Sequence, residues 1–418
     1  MITGKIVSRK QTRSQCLTLA ELKHMLTILP YHATATRYFQ AQPGVWEFFR
    51  NHQHKEEQLS VFKTDLLKNT YKFDPATDTK VYDKVNLSKE KLGMDCPVTV
   101  YQAEHTDDIN ASIVFIDNEA HIVFSGKLLQ LLTDDELLAV IAHELSHVQL
   151  YKQLNGDVEV TNRIIMAIGN HDQSTAAHYE TARLFQLYTE IFCDRGAAIV
   201  TGHFAPIVSS LVKVATGLQT VNADSYVKQA EEIFAADAGT RANGISHPKN
   251  FIRARAIALW QEKGTEAEGE ICKMIEGNTG LDELDLFRQK NISDLSRKLV
   301  ELLVNPSWMQ TSLNLALAKQ YFSDIKTTTR PETESIATQV EGLHPSLQEY
   351  LSYIIYDFTT SDKSLEDVPT GLAFSLADEI RITKAFSQVV KKEKKLTDKK
   401  VASLKKSSLA ELAKQPKG

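Results

Sequence analysis

The chain has 418 residues, 42% of them hydrophobic and 24% charged, with a formal net charge of -5. A chain of this length is expected to divide into two or three compact units, and its balanced composition excludes a mainly disordered protein. Its longest apolar stretches, such as Leu137 to Ala142, fall far short of the ~20 residues that a membrane-crossing helix needs, so no membrane span is expected.

The first thirty residues carry Lys5, Arg9, Lys10 and Arg13 but no apolar core followed by a small-residue cleavage site. A secretory signal is therefore not expected. The four cysteines, Cys16, Cys96, Cys193 and Cys272, are scattered with no CxxC pair. That fits a reducing compartment and excludes a zinc ribbon, so a soluble, cytoplasmic protein is expected.

From about Leu17 to Tyr71 the apolar spacing predicts helices, with Pro30 and Pro43 as breaks. Lys80 to Leu92 reads as a further short helix. The period then changes to two at "CPVTVYQA", a strand, followed by "ASIVFI" and "AHIVFSG" around the turn-forming Asp117, Asn118 and Glu119. A small antiparallel sheet is thus expected immediately before residue 130. Helical patterns return over Asp157 to Gly169 and His178 to Gly202, a loop is expected at "AGTRANGISHPKN", and beyond Thr265 helix follows helix. The expected division is an N-terminal helical segment over 1–79, a central domain over 80–262, a helical domain over 263–390 and a basic tail over 391–418. The tail holds ten lysines against Glu393, Asp398 and Glu411. It is read as a solvated or partly disordered end, and nucleic acid is not expected as a partner.

One stretch carries chemistry. Thr133 and Glu136 in "LTDDELL" spell a capping box, so a helix starts there whatever its purpose. At about 100° per residue, Leu137, Leu138, Ile141, Leu145 and Val148 form an apolar arc, while His143 and His147 fall about 40° apart on nearly the opposite side. Two imidazoles on successive turns can converge on one zinc ion, with Glu144 placed to take a proton from bound water. Helices that bind nothing also spell HExxH, so a third ligand decides. The zincin branch with a distal histidine needs Gly and His where Leu150 and Gln153 stand, and is excluded. The glutamate branch needs ExxxD downstream. "YTEIFCDRGAA" supplies Glu190 and Asp194 on one face of a helix whose neighbours are apolar, where carboxylates without partners would be costly. Glu190 then binds metal and Asp194 orients a histidine. His171 and His178 compete as third ligands, although loop histidines are more often surface or helix-start residues.

The run from Asn110 to Tyr151, followed by "EIFCDRGAAI" and "SHPKNFIRARAIAL", resembles metallopeptidase family 48. The resemblance covers roughly Leu87 to Leu259. It implies an α+β, mostly helical fold: a gluzincin-like zinc peptidase core, a small sheet whose edge strand lines the cleft, and an all-helical C-terminal domain outside the resemblance. It implies one zinc ion per chain on His143, His147 and Glu190, Glu144 as general base, and Asp194 and Arg253 behind the ligands. His247, before Pro248, is implied to stabilise the oxyanion. It also makes "AHIVFS" the edge strand, so that His121, Ile122, Val123 and Phe124, with Asn110 and Ala111 from the neighbouring loop, receive the substrate as an added strand. Cys193 stands where the family usually has alanine, its thiol close to the proposed metal.

The expected function is that of a soluble zinc-dependent endopeptidase acting on peptides or unfolded proteins. The alternative is a catalytically silent binding or chaperone-like protein of the same fold. A protein partner could dock on the C-terminal helices.

Overall fold

The computed structural model describes residues 26–51, 56–116, 118–236, 249–326 and 331–415. The chain divides into two compact units, one of residues 1–174 with 181–277, the other of residues 175–180 with 278–418. The first boundary expected from sequence, at residue 79, is not a division between units. The second lies at 277 rather than 262.

The first unit opens with α1 (Pro30–Gln40), α2 (Pro43–Asn51) and α3 (Glu56–Asn69). Pro30 and Pro43 each stand at the start of a helix, where the missing N–H would be unpaired anyway and the fixed φ suits the first turn. His32 of α1 is fully buried and bonds through Nε2 to Thr189 Oγ1 at 3.2 Å. Its neighbour Tyr31 stacks on Tyr188 with ring centroids 5.0 Å apart.

Thr70 to Lys72, expected at the end of a helix, form β1 instead. After α4 (Thr79–Leu92) come β2 (Val98–Ala103), β3 (Asn110–Ile116) and β4 (Glu119–Ser125), giving a sheet of order β1-β2-β4-β3. The expected antiparallel sheet is in fact mixed. β3 and β4 form the anticipated hairpin, from Asn110↔Ser125 to Ile116↔Glu119, with Asn118 at φ 58° in its turn. The hairpin docks by its second strand, so β4 runs parallel to β2, from Val98↔Ala120 to Gln102↔Phe124.

That placement corrects the expected cleft. His121, Ile122, Val123 and Phe124 lie on an interior strand whose backbone donors and acceptors are paired on both sides, so they cannot take up a peptide as an added strand. β3 stands at the end of the sheet.

Beyond the turn of α5 (Leu128–Leu131) runs α6 (Asp134–Tyr151). Its capping box is formed: Thr133 N donates to Glu136 Oε2 at 2.8 Å, and Glu136 N to Thr133 Oγ1 at 3.4 Å. The Glu136 carboxylate, itself buried, also receives the buried Lys213 at 2.9 Å. A capping residue therefore doubles as a tertiary tie to α9 (Ala205–Thr216).

After α7 (Asp157–Gly169) comes α8 (Ala176–Thr201), and the unit closes with α10 (Ala223–Ala236), α11 (Asn250–Lys263) and α12 (Glu268–Glu276). α8 carries apolar side chains around its whole circumference, and Leu184, Phe185, Leu187, Phe192, Ala197 and Ala198 are fully buried. A helix apolar on all sides belongs in the centre of its unit. It meets α6 at Gly196, where an added Cβ would lie 1.9 Å from Ser146 Oγ and 2.7 Å from Ser146 Cβ. The absence of a side chain there lets α6 and α8 approach closely enough for their polar faces to share one site.

The second unit is helical: α13 (Leu286–Val304), α14 (Ser312–Tyr321), α15 (Thr333–Val340), α16 (Pro345–Asp357), α17 (Val368–Glu379), α18 (Thr383–Glu393) and α19 (Asp398–Leu412). Its core gathers Leu299, Leu303, Leu351, Ile355, Phe374 and Phe386. The pattern from Pro369 to Val390 breaks at Arg381, whose φ is 63°. The basic end differs from expectation. Residue 391 falls inside α18, and α19 is an ordered helix whose Val401 and Ser408 are buried. Gly371 of α17 admits it, since a Cβ there would lie 2.2 Å from the Ser408 carbonyl oxygen. Lys399, Lys400 and Lys406 of that helix are exposed, and Lys405 pairs with Asp378 at 2.7 Å.

Gly196→Ala is expected to destabilise the first unit by about 1–3 kcal/mol, the range for forced overpacking. Adding Ser146→Gly, which removes both clashing atoms, should recover part of that loss in thermal or urea unfolding. A single variant as stable as wild type would show that the helices can separate without cost.

Burial is the main force that lowers the His32 pKa to about 3 from 6.5. The folded value lies below the unfolded one, so the stability tied to neutral His32 is complete above pH 6.5 and is lost as pH falls toward 3. The slope should approach about 1.4 kcal/mol per pH unit below 6.5. Urea unfolding of His32→Gln should be less steep in pH by that amount, and identical slopes would contradict it.

Candidate active site

α6, α8 and α11 contribute the charged residues of the site, and α6 sets the first pair. His143 and His147 stand one turn apart, their ring centroids separated by 5.2 Å and their planes by 79°. Glu190 of α8 faces both, with Oε2 3.4 Å from His143 Nε2 and Oε1 3.9 Å from His147 Nε2. Donor atoms each about 2.0–2.2 Å from a tetrahedral ion lie roughly 3.3–3.6 Å apart; the His143–Glu190 separation falls in that range and the His147–Glu190 one is slightly wider, so two imidazoles and a carboxylate with a small adjustment suit a divalent metal such as zinc.

Asp194, one turn further along α8, reaches the other nitrogen of the first histidine, with His143 Nδ1 3.0 Å from Asp194 Oδ1. A proton held on Nδ1 by that carboxylate makes Nε2 the nitrogen that faces Glu190 and would meet a bound ion. Arg253 of α11 completes the cluster: Nε donates to Asp194 Oδ2 at 2.8 Å, Nη2 to Asp194 Oδ1 at 2.6 Å, and Nη1 approaches Glu190 Oε2 at 3.0 Å. Asp194, Glu190 and Arg253 are all buried. Each charge is thus neutralised by the next, the condition under which ionised groups persist away from water.

The electrostatics follow from this packing. Burial opposes a charge on His143, yet the hydrogen bonds it donates to Asp194 and Glu190 outweigh it and push its pKa up to about 10. The negative field that holds a proton there would equally hold a cation. Burial pushes the other way on Asp194, but the charge and hydrogen bonds of Arg253 hold its carboxyl below the usual range. The Cys193 thiol is raised well above its ordinary value by burial, and further by Glu190, Glu144 and Asp194.

His143, His147, Glu190, Asp194 and Arg253 line a cleft of about 500 Å³. Glu144 lines it beside His143 and His147, and so do Asn110, Ala111, Ser112 and Ile113 of β3. None of His121, Ile122, Val123 or Phe124 does. His121 is buried against Tyr101, whose hydroxyl lies 3.4 Å from its Nδ1, and against Phe62. His171 and His178 stay out of the cleft: Nδ1 of the first accepts from Gln173 N at 3.2 Å, and Nδ1 of the second from Thr175 N at 3.0 Å. His247 and Pro248 lie outside the described residues.

The structure adds residues that motif reading missed. Tyr151 lines the cleft one turn beyond His147, and its i+4 spacing from that histidine was a signal available in the sequence. Ile207, Ser210 and Leu211 of α9 and Asn250 of α11 form further walls. Their arrival from distant segments left no such signal.

Residues 75–260 match the model of peptidase family M48. This segment is similar to that family. The chain is 31% identical over 157 residues, 33% of its own length and 44% of the relative's, to the plastoglobule-localized metallopeptidase 48, chloroplastic, of Arabidopsis thaliana. It is 26% identical over 183 residues, 38% of its length and 66% of the relative's, to a protease HtpX homolog of Sulfurovum sp. (strain NBC37-1). The chain thus spans less than two thirds of either curated relative. No solved structure gives a significant match. Among the described residues, no helix is long and apolar enough to cross a membrane.

Asp194→Asn removes the charge that orients His143 while keeping its size. Zinc affinity, measured by chelator competition, should fall about 10- to 100-fold, as for other residues that support a ligand through its second nitrogen. Unchanged affinity would show that Asp194 serves only the Arg253 ion pair.

Proposed function

We propose that the chain is a zinc-dependent endopeptidase that hydrolyses peptide bonds of extended or unfolded polypeptides. The observation that carries this reading is the convergence of His143, His147, Glu190 and Glu144 on one cleft whose border is a terminal β-strand. The match of residues 75–260 to the model of peptidase family M48 supports it.

In this reading His143, His147 and Glu190 hold one zinc ion, which when bound supplies a Lewis acid and lowers the pKa of a coordinated water toward ~7. Glu144 is the general base. Its carboxylate accepts a proton from the attacking water and returns it to the leaving amide nitrogen. Asp194 and Arg253 keep the ligands in register: the first holds His143 in one tautomer, and the second neutralises the two acids of α8. β3 offers the backbone of residues 110–113 to a substrate strand, so main-chain hydrogen bonds would select for extended polypeptide rather than for particular side chains. Most backbone in folded proteins is already paired, which is why extended or unfolded chains are the proposed substrate class.

Glu144→Gln should still bind one zinc per chain, while its rate on casein or a peptide library falls about 10²- to 10⁴-fold. Full activity in that variant would remove Glu144 from the mechanism. Stoichiometric zinc without cleavage by the wild-type chain would favour a silent binding protein of the same fold.

A further inference from the structure

Cys193 is fully buried on α8, three residues after Glu190. The nitrogens of His143 and His147 and the Cys193 sulfur all lie within 4.8 Å of one another. Three donors this close can surround a single ion with modest side-chain rotation. The set is two imidazoles and a thiol, the ligand types that zinc selects most strongly. Glu190, by contrast, divides its charge with Arg253 Nη1, 3.0 Å from Oε2, which weakens it as a donor. A metal in this pocket therefore meets a soft ligand in reach and a carboxylate already partly neutralised.

We propose that Cys193 is a further ligand of the metal, closing a four-donor set with His143, His147 and Glu190 from its buried side, so that no coordination position is left for a reactive water. The inference rests on the metal site proposed above and adds a resting state to it. As the sulfur–metal bond forms, the thiol proton leaves to solvent and no electron is transferred. Four protein donors make a closed site of the structural kind, whereas turnover needs an open position. The loaded chain is then held latent until the thiol is displaced.

The test uses the full-length chain with its metal replaced by Co²⁺. Wild type should bind one Co²⁺ and show a near-ultraviolet thiolate-to-cobalt charge-transfer band together with visible ligand-field bands. Cys193→Ala and Cys193→Ser should keep the ligand-field bands and lose the charge-transfer band. X-ray absorption at the zinc edge of wild type should contain one sulfur at about 2.3 Å, a readout that does not depend on either variant folding. Peptide hydrolysis by zinc-loaded Cys193→Ala should exceed that of wild type several-fold. One bound Co²⁺ without the charge-transfer band, or a zinc shell of nitrogen and oxygen alone, overturns the thiol ligand and leaves the metal site standing. Failure of wild type to bind any metal overturns both.

Discussion

The ion cluster of Arg253, Asp194, Glu190 and His143 is the constraint on which the rest of the first unit depends. Two carboxylates on one face of a buried helix repel each other and cannot remain ionised there unaided. The guanidinium from α11 bridges them, with contacts of 2.6 and 2.8 Å to Asp194 and 3.0 Å to Glu190. That bridge ties α8 to α11, while the bond from Asp194 to His143 ties α8 to α6. Three helices separated in sequence are thus drawn to one point by charge, and apolar burial along α8 supplies the bulk of the cohesion around it. A buried ionic group of this kind contributes little net stability. Its effect is positional, because it fixes which nitrogen of His143 faces the cleft.

Close packing makes that positioning possible. Gly196 removes the one side chain that would hold α6 and α8 apart, opposite Ser146, which sits between the two histidines in sequence. The Thr133 and Glu136 capping box sets where α6 begins, and Lys213 on the same carboxylate sets where α9 lies against it. Residues of α9, among them Ile207 and Leu211, then form a wall of the cleft. Local helix chemistry and the shape of the site are connected through a single glutamate.

The described part of the second unit has a core of its own. Its last helix shows how composition misleads. Ten lysines among the final 28 residues suggested a solvated tail, yet Val401 and Ser408 bury one face of that helix against α17 while the charges stay outside. Long cationic side chains cover an apolar helix face without leaving water, so a basic composition is compatible with a packed helix.

The amino-acid sequence by itself determined the local features of this protein. The start of α6 was legible in Thr133 and Glu136, the shared face of His143 and His147 in their four-residue spacing, and the β3–β4 hairpin in its turn residues. Each is set by contacts within a few residues, where periodicity and capping act directly. Only the tertiary structure decided that β4 is interior and β3 terminal, so that Asn110 to Ile113 and not His121 to Phe124 border the cleft. Alternating hydrophobicity shows which face of a strand is buried but not which neighbour it pairs with, and the parallel pairing of β4 with β2 joins segments about twenty residues apart. The same holds for the course of Arg253 from α11 to Asp194 and Glu190, and for the nearness of the Cys193 sulfur to both histidines: these distances follow from how helices stack, which no local pattern encodes.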